Sequence, residues 1–278
     1  MILRLNLFWK ELVLFTLTLL IGIFAAHNYT PLIEKSIVEP PSFSWDSIVI
    51  ALIFFSILFL ALPKFKKLNS IFLRFFLLLV VFSGSQVVLG SVVNSPWDLL
   101  LALVAAAVFM IFRNVLIHDA AMVIGIAGIS SILGITISPA IAVALLVILS
   151  FYDILAVYWT KHMVYMAKGM MESGAIFGFI IPSSLDNVFY HSHEAKKQIG
   201  DKFMILGSGD IGLPVIMASS IAVVSLSKAL IVGFFAILGL LATHLIFVNQ
   251  SERKPMAALP PIATMTIIGY LVSLIFTF

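Results

Sequence analysis

The chain has no cysteine. That excludes disulfides, thiolate metal sites and a cysteine nucleophile at once. Charge is scarce as well: 16 Lys and Arg and 13 Asp and Glu make up only 10% of the 278 residues. A soluble domain carries about 25%. Histidine and glutamate do not cluster at metal-ligand spacing, so neither a metal nor another cofactor is expected. The net charge of +3 gives no reason to expect nucleic acid. Apolar side chains fill the sequence instead, at 62% of residues and a mean hydropathy of +1.18. Lipid is the main solvent of such a chain.

Nine apolar stretches are about long enough to cross a bilayer, at 10–26, 45–62, 71–93, 97–112, 120–137, 139–160, 203–226, 229–248 and 257–276. They predict an all-α membrane protein of nine transmembrane helices. Two spans meet at Ser138-Pro139 with almost no loop, where a proline suits a helix start. Arg4 and Lys10 precede the first apolar run as in a secretory signal. Phe24, however, stands where cleavage after Ala26 would want a small residue, so this run is read as a retained span. The sequon at Asn28 carries little weight. One membrane domain is expected overall: six spans in 1–160, a loop at 161–202, and three spans in 203–278.

Lysine and arginine orient the chain. With the N-terminus in the cytoplasm, 14 of the 16 basic residues fall inside, and only Lys35 and Lys228 fall outside. The expected topology is therefore N-terminus cytoplasmic and C-terminus outside.

Against this background two acidic residues stand out. Asp153 ends the run Ser150-Phe151-Tyr152-Asp153, and Asp210 ends Leu206-Gly207-Ser208-Gly209-Asp210. A carboxyl group inside a bilayer is costly and marks a functional site by default. Each lies 8 residues from the nearest cytoplasmic lysine, Lys161 or Lys202, which in helix places both about 12 Å deep. Two carboxyls at one level suit aspartic proteolysis, because a close pair holds one proton between them. The charged member activates a water while the neutral one donates to the oxyanion. Acid and base roles cannot be divided between the two, since such a pair titrates as a unit.

Gly207 and Gly209 weaken helix beside Asp210, and Pro214 loosens it further. Irregular backbone at that depth survives only where it lines a protein cavity, and an unwound substrate needs such a place. Ala257-Ala258-Leu259-Pro260-Pro261 opens the last span. Its two prolines predict either an irregular strip that holds an extended substrate or a proline-started helix.

Nine spans, a Tyr-Asp in the sixth, a Gly-x-Gly-Asp in the seventh and a Pro-Ala-Leu-like start to the ninth resemble the presenilin and signal peptide peptidase family of intramembrane aspartyl proteases. The resemblance implies that Asp153 and Asp210 are the catalytic aspartates. It aligns Tyr152, Gly207, Ser208 and Gly209 with the flanking motif positions, and Ala258, Leu259 and Pro260 with the last motif. Ala257 departs from it, standing where the family has a proline. The implied activity is hydrolysis of peptide bonds within or near the transmembrane segments of membrane-protein substrates. The charge count matches presenilin in orientation, which implies single-span substrates with the N-terminus outside.

Short loops point to a compact microbial, archaeal presenilin homologue in a prokaryotic cell membrane. Its expected partners are single-span substrates and the lipid bilayer, without obligate accessory subunits; homo-oligomerisation stays open. Within the 161–202 loop, the apolar stretch 174–181 is expected to lie on lipid headgroups rather than to act as a lid. His191, His193 and Glu194 read as a solvated face, and His244 and Gln86 as packing or hydrogen-bonding residues. The competing function is a proton-coupled transporter or ion pathway using the same aspartates, but inverted repeats are not evident. Prepilin peptidases share Gly-x-Gly-Asp but follow it differently from Ile211-Gly212 and lack the ninth-span motif.

Overall fold

A computed structural model describes residues 5–34, 45–46, 49–50, 66–112, 114–161, 163, 169–170, 173–182, 203–250 and 255–275. Eight helices lie among them: α1 (Leu5–Glu34), α2 (Lys66–Gly90), α3 (Trp97–Ile111), α4 (Val115–Thr136), α5 (Pro139–Ile154), α6 (Ser208–Ala222), α7 (Leu226–Val248) and α8 (Leu259–Ile275). Five apolar segments are long enough to cross a membrane: Leu5–Pro31, Ser70–Gly90, Val115–Thr136, Pro139–Trp159 and Leu226–Val248. The stretch expected at 45–62 lies largely outside the described residues.

Local chemistry sets the helix limits. Asn114 caps α4 by accepting the Ile117 N–H at 2.9 Å. The expected break between the fifth and sixth spans is present, with α4 ending at Thr136 and α5 starting at Pro139. Ser138 caps α5 through the Ile141 N–H at 3.4 Å. At its far end α5 widens into a π turn, Leu155–Trp159, before Lys161 turns left-handed at φ 53° and stops it.

The seventh span corrects the sequence reading. It is not a helix from residue 203. Phe203–Gly207 is a strand, β2, and it pairs antiparallel with β1, Gly178–Pro182, from the preceding loop. The described residues thus form a mostly helical bundle with one antiparallel strand pair, where an all-α fold was expected. Fifteen residues of α6 rise only about 22 Å, too short for a bilayer core of about 30 Å, and five extended residues add about 16 Å. Strand and helix together make the crossing. Glycine at 207 and the Pro182 end favour this extended form over helix.

α6 is the hub, packed against α1, α4, α5, α7 and α8. Ile211, Val215, Met217 and Ala218 are wholly covered, as expected for a helix apolar on all sides. α1 belongs to this core too, through buried Phe15, Leu19 and Ile23. In lipid, close packing rather than water exclusion holds helices together. The crossing of α2 and α4 shows it: a methyl group on Gly84 would strike the Gly125 carbonyl, and one on Gly128 would strike Gly84.

α1 and α2 run parallel. Near their starts, Lys10 and Arg74 reach the hairpin side, bonding the carbonyls of Pro182 (2.6 Å) and Ser173 (2.7 Å). Near their ends, Asn28 donates to the Ser91 carbonyl at 3.3 Å. The hairpin thus closes one end of the bundle.

Candidate active site

Three chain segments converge at the hairpin end: the last turn of α5, the first turn of α6 and the start of α8. Asp153 comes from the first of these and is only 4% exposed. Asp210 comes from the second and is half-buried. Their carboxyl groups lie near enough for one charge to act on the other. Leu259, the first residue of α8, donates its N–H to Asp153 Oδ2 at 3.3 Å. The Gly207 N–H lies against the Asp210 carboxyl. Because Asp210 sits in the first turn after a strand, the depth counted along a continuous helix does not apply to it. Pro214 has no N–H, so it cannot donate to the Asp210 carbonyl four residues back, and helix is loosened at that point.

The hairpin register explains why Gly207 is so placed. Gly178 pairs with Gly207, Ile180 with Ile205 and Pro182 with Phe203. The Ser208 N–H continues the ladder to the Phe177 carbonyl at 3.1 Å. By the alternation of a strand, Met204, Leu206 and Ser208 turn their backbone groups to β1, whereas Ile205 and Gly207 turn theirs away from it. That second edge runs toward Asp210.

The apolar stretch expected on lipid headgroups is instead inside the protein. Every residue of Gly178–Pro182 is buried. Polar groups on α1 and α4 satisfy its outer backbone, which a membrane surface would have left to water.

Other expected site residues fall as follows. Tyr152 is 50% exposed, because neighbours on a helix point about 100° apart and Asp153 takes the inward direction. Gly209 is exposed, with open space where a Cβ would stand. Ala257 is buried, and Ala258 and Pro260 are partly buried. Residues 255–258 are irregular while both prolines sit in the first turn of α8, so the two readings of this motif each describe part of it. The Thr243 hydroxyl, 3.0 Å from the Gly239 carbonyl of its own helix, also lies 3.3 Å from the Ala258 carbonyl of this strip. Beside it His244 is buried, with Nδ1 at 3.0 Å from Glu11 Oε2, which makes it the hydrogen-bonding residue expected. His191, His193 and Glu194 lie outside the described residues.

Sequence reasoning passed over Glu11, His118 and Asp119, all buried. Their signal was available as charge or imidazole at the edge of an apolar run, where it passes for an ordinary span boundary.

A helical membrane bundle with two neighbouring carboxyls, one strand edge beside them and a backbone donor on each acid has the parts of an aspartic hydrolase working inside a bilayer. The comparisons name the class. The family described as signal-peptide peptidase, presenilin aspartyl protease matches residues 14–278. The chain belongs to that family. Two solved structures of a presenilin family intramembrane aspartate protease, in C222 and P2 crystal forms, are similar to it. The first shares 24% identity at a TM-score of 0.59, and the second 25% at 0.62. Each alignment covers 95% of this chain and 97% of the other. Comparison with curated proteins gave no match. The chain is thus an integral membrane protein and an intramembrane aspartyl protease, and the proton-coupled transporter reading falls away.

The glycines make a local prediction. A Cβ on Gly207 would stand 3.1 Å from Asp210 Oδ2, tighter than an ordinary contact, whereas one on Gly209 meets nothing within 4 Å. Gly207→Ala is expected to cut turnover by about tenfold or more through displacement of the carboxyl. Gly209→Ala should keep most of it. Single-turnover rates on one substrate check the order; the reverse order would place substrate, not Asp210, against this turn.

Proposed function

We propose that Asp153 and Asp210 are the catalytic pair, cutting a peptide bond in a single-span substrate that is drawn out beside β2. The observation that carries this is the convergence of both carboxyls with the β2 edge at Ile205. An extended segment gains backbone hydrogen bonds by adding to such an edge, and a transmembrane helix must lose its own bonds before its peptide groups can be attacked. Pairing there lays the substrate backbone alongside Asp210.

In the reaction one carboxylate takes a proton from water as the oxygen adds to the scissile carbonyl carbon. The partner carboxylic acid donates its proton to the developing oxyanion. Collapse of the tetrahedral intermediate breaks the C–N bond, and the leaving nitrogen receives a proton from the pair. The Leu259 N–H orients Asp153 throughout. Ser208, Ala257, Ala258 and Pro260, with Tyr152 on the outer face of α5, line the path of the substrate in this reading.

The same reading carries nine crossings with the N-terminus in the cytoplasm. Parallel α1 and α2 support it, because a chain that ends one span on the far side must return before starting the next. The strong bias of lysine and arginine supports the orientation. A microbial cell membrane as the setting, and activity without accessory subunits, belong to the proposal too.

The test uses purified protein in lipid vesicles and a matched pair of single-span substrates, one N-out and one N-in, with product masses read directly. Cleavage within the span of the N-out substrate is expected, at least about tenfold faster than in the inverted one. Cleavage of the N-in substrate alone would overturn the orientation. No cleavage of either, with protein shown to be folded, would overturn the catalytic assignment.

A further inference from the structure

β1 has an outer edge as well, and two consecutive side chains of α4 occupy it. Asp119 Oδ1 accepts the Ile180 N–H at 2.8 Å. His118 Nε2 lies 3.1 Å from the Gly178 carbonyl, and since a carbonyl only accepts, this contact needs the proton on Nε2. Both side chains are buried, at 5% and 6% exposure, and the Phe109 ring packs at 5.9 Å from the imidazole. One donor and one acceptor, meeting the groups on either side of Phe179, stand where one residue of a third, parallel strand would bond. Lys10 adds a third contact two residues on, at Pro182.

These contacts reinforce what the strand's own sequence supplies. A strand with one wet face has its register fixed by alternation, because a slip of one residue would expose apolar side chains. Gly-Phe-Ile-Ile-Pro is buried at all five positions and has no alternation to enforce. An isolated two-stranded hairpin is also marginally stable. The burial pattern alone would therefore tolerate a slipped β1. Directional bonds from α4 are what tie it to a helix that also packs directly on α6, the carrier of Asp210.

We propose that His118 and Asp119 are positioning residues that set the register of the hairpin and, through it, select the peptide bond that is cut. They hold β1 at the offset that pairs Gly178 with Gly207 and so fixes the β2 edge against Asp210. This rests on the reading of the dyad and strand edge given above.

The experiment compares wild type, Asp119→Leu and Asp119→Asn in lipid vesicles with one single-span substrate. It reads the product masses, kcat, and hydrogen exchange in the segment containing Ile180. Asp119→Leu is expected to spread the cut over bonds one or two residues from the wild-type site, with kcat lowered about tenfold or more. Exchange at Ile180 should quicken by at least about tenfold. Asp119→Asn keeps an oxygen acceptor for the Ile180 N–H, so it should cut the wild-type bond. Loss of rate by Asp119→Leu at the unchanged bond would overturn the proposal, since a merely structural role lowers activity without moving the site. Unchanged exchange at Ile180 would overturn it as well. If Asp119→Leu fails to fold, His118→Leu carries the same measurements, with His118→Gln retaining a donor as its control. An inactive wild type would sink the proteolytic reading, and the exchange result would then decide the anchor by itself.

Discussion

Asp153→Asn and Asp210→Asn are each expected to lower cleavage by at least about 10³-fold, or about 4 kcal/mol of barrier. An amide matches the carboxyl in shape but can neither take a proton from water nor return one to the leaving nitrogen. At position 153 the amide oxygen can still accept the Leu259 N–H, now 3.3 Å from Asp153 Oδ2, so the strip before α8 stays in place. Chemistry is thereby separated from positioning. Neither variant should unfold more easily than wild type, because each removes an ionisable group from an apolar, membrane-spanning segment. Product masses from a single-span substrate, with thermal unfolding run in parallel, check both halves. Activity within about tenfold of wild type for either variant would remove that aspartate from the proposed pair.

The two aspartates stood out in the sequence because of where they lie. Charge in lipid is so costly that an acidic residue in the middle of an apolar run has few structural explanations. The break at Ser138-Pro139 was legible because an N1 proline is a local signal, and it opens the helix as expected, with the Ser138 cap added by the folded chain. The hairpin was not. Residues 203–206 and 179–181 are short apolar runs, and periodicity cannot separate a buried strand from the end of a buried helix over so few residues. The partner strand is also remote, with Pro182 paired to Phe203 across an intervening loop. Asp119 and Glu11 escaped for a different reason. Each sits at the margin of a span, where charge is cheap, and only the folded chain shows them turned inward to Ile180 and His244. Ala257, the one departure from the family motif, leaves the strip irregular: residues 255–258 remain outside the helix, and the Leu259 N–H still reaches Asp153.

If the hairpin places Asp210, then Gly178→Ala should disable the enzyme from a position that touches neither carboxyl. Gly178 has φ +151°, a region that residues with a Cβ rarely enter, and a Cβ there would run into the Leu206 carbonyl oxygen across the ladder. The substitution must open the Gly178–Gly207 end of the sheet, which is the end next to Asp210. The strain is worth about 1–3 kcal/mol in the local fold. Displacing a reacting group by about 1 Å costs on the order of 10²-fold in rate, and a fall of that size is expected. Ile180→Ala is the informative companion. Ile180 is wholly buried, so its truncation is expected to cost more stability, about 2–5 kcal/mol, yet its backbone bonds to Asp119 and the ladder survive. The less stable variant should thus be the more active one, as read from kcat and from thermal unfolding of the same preparations. An order of activity that simply follows stability would show that the hairpin braces the bundle and leaves Asp210 to be positioned by α6 alone.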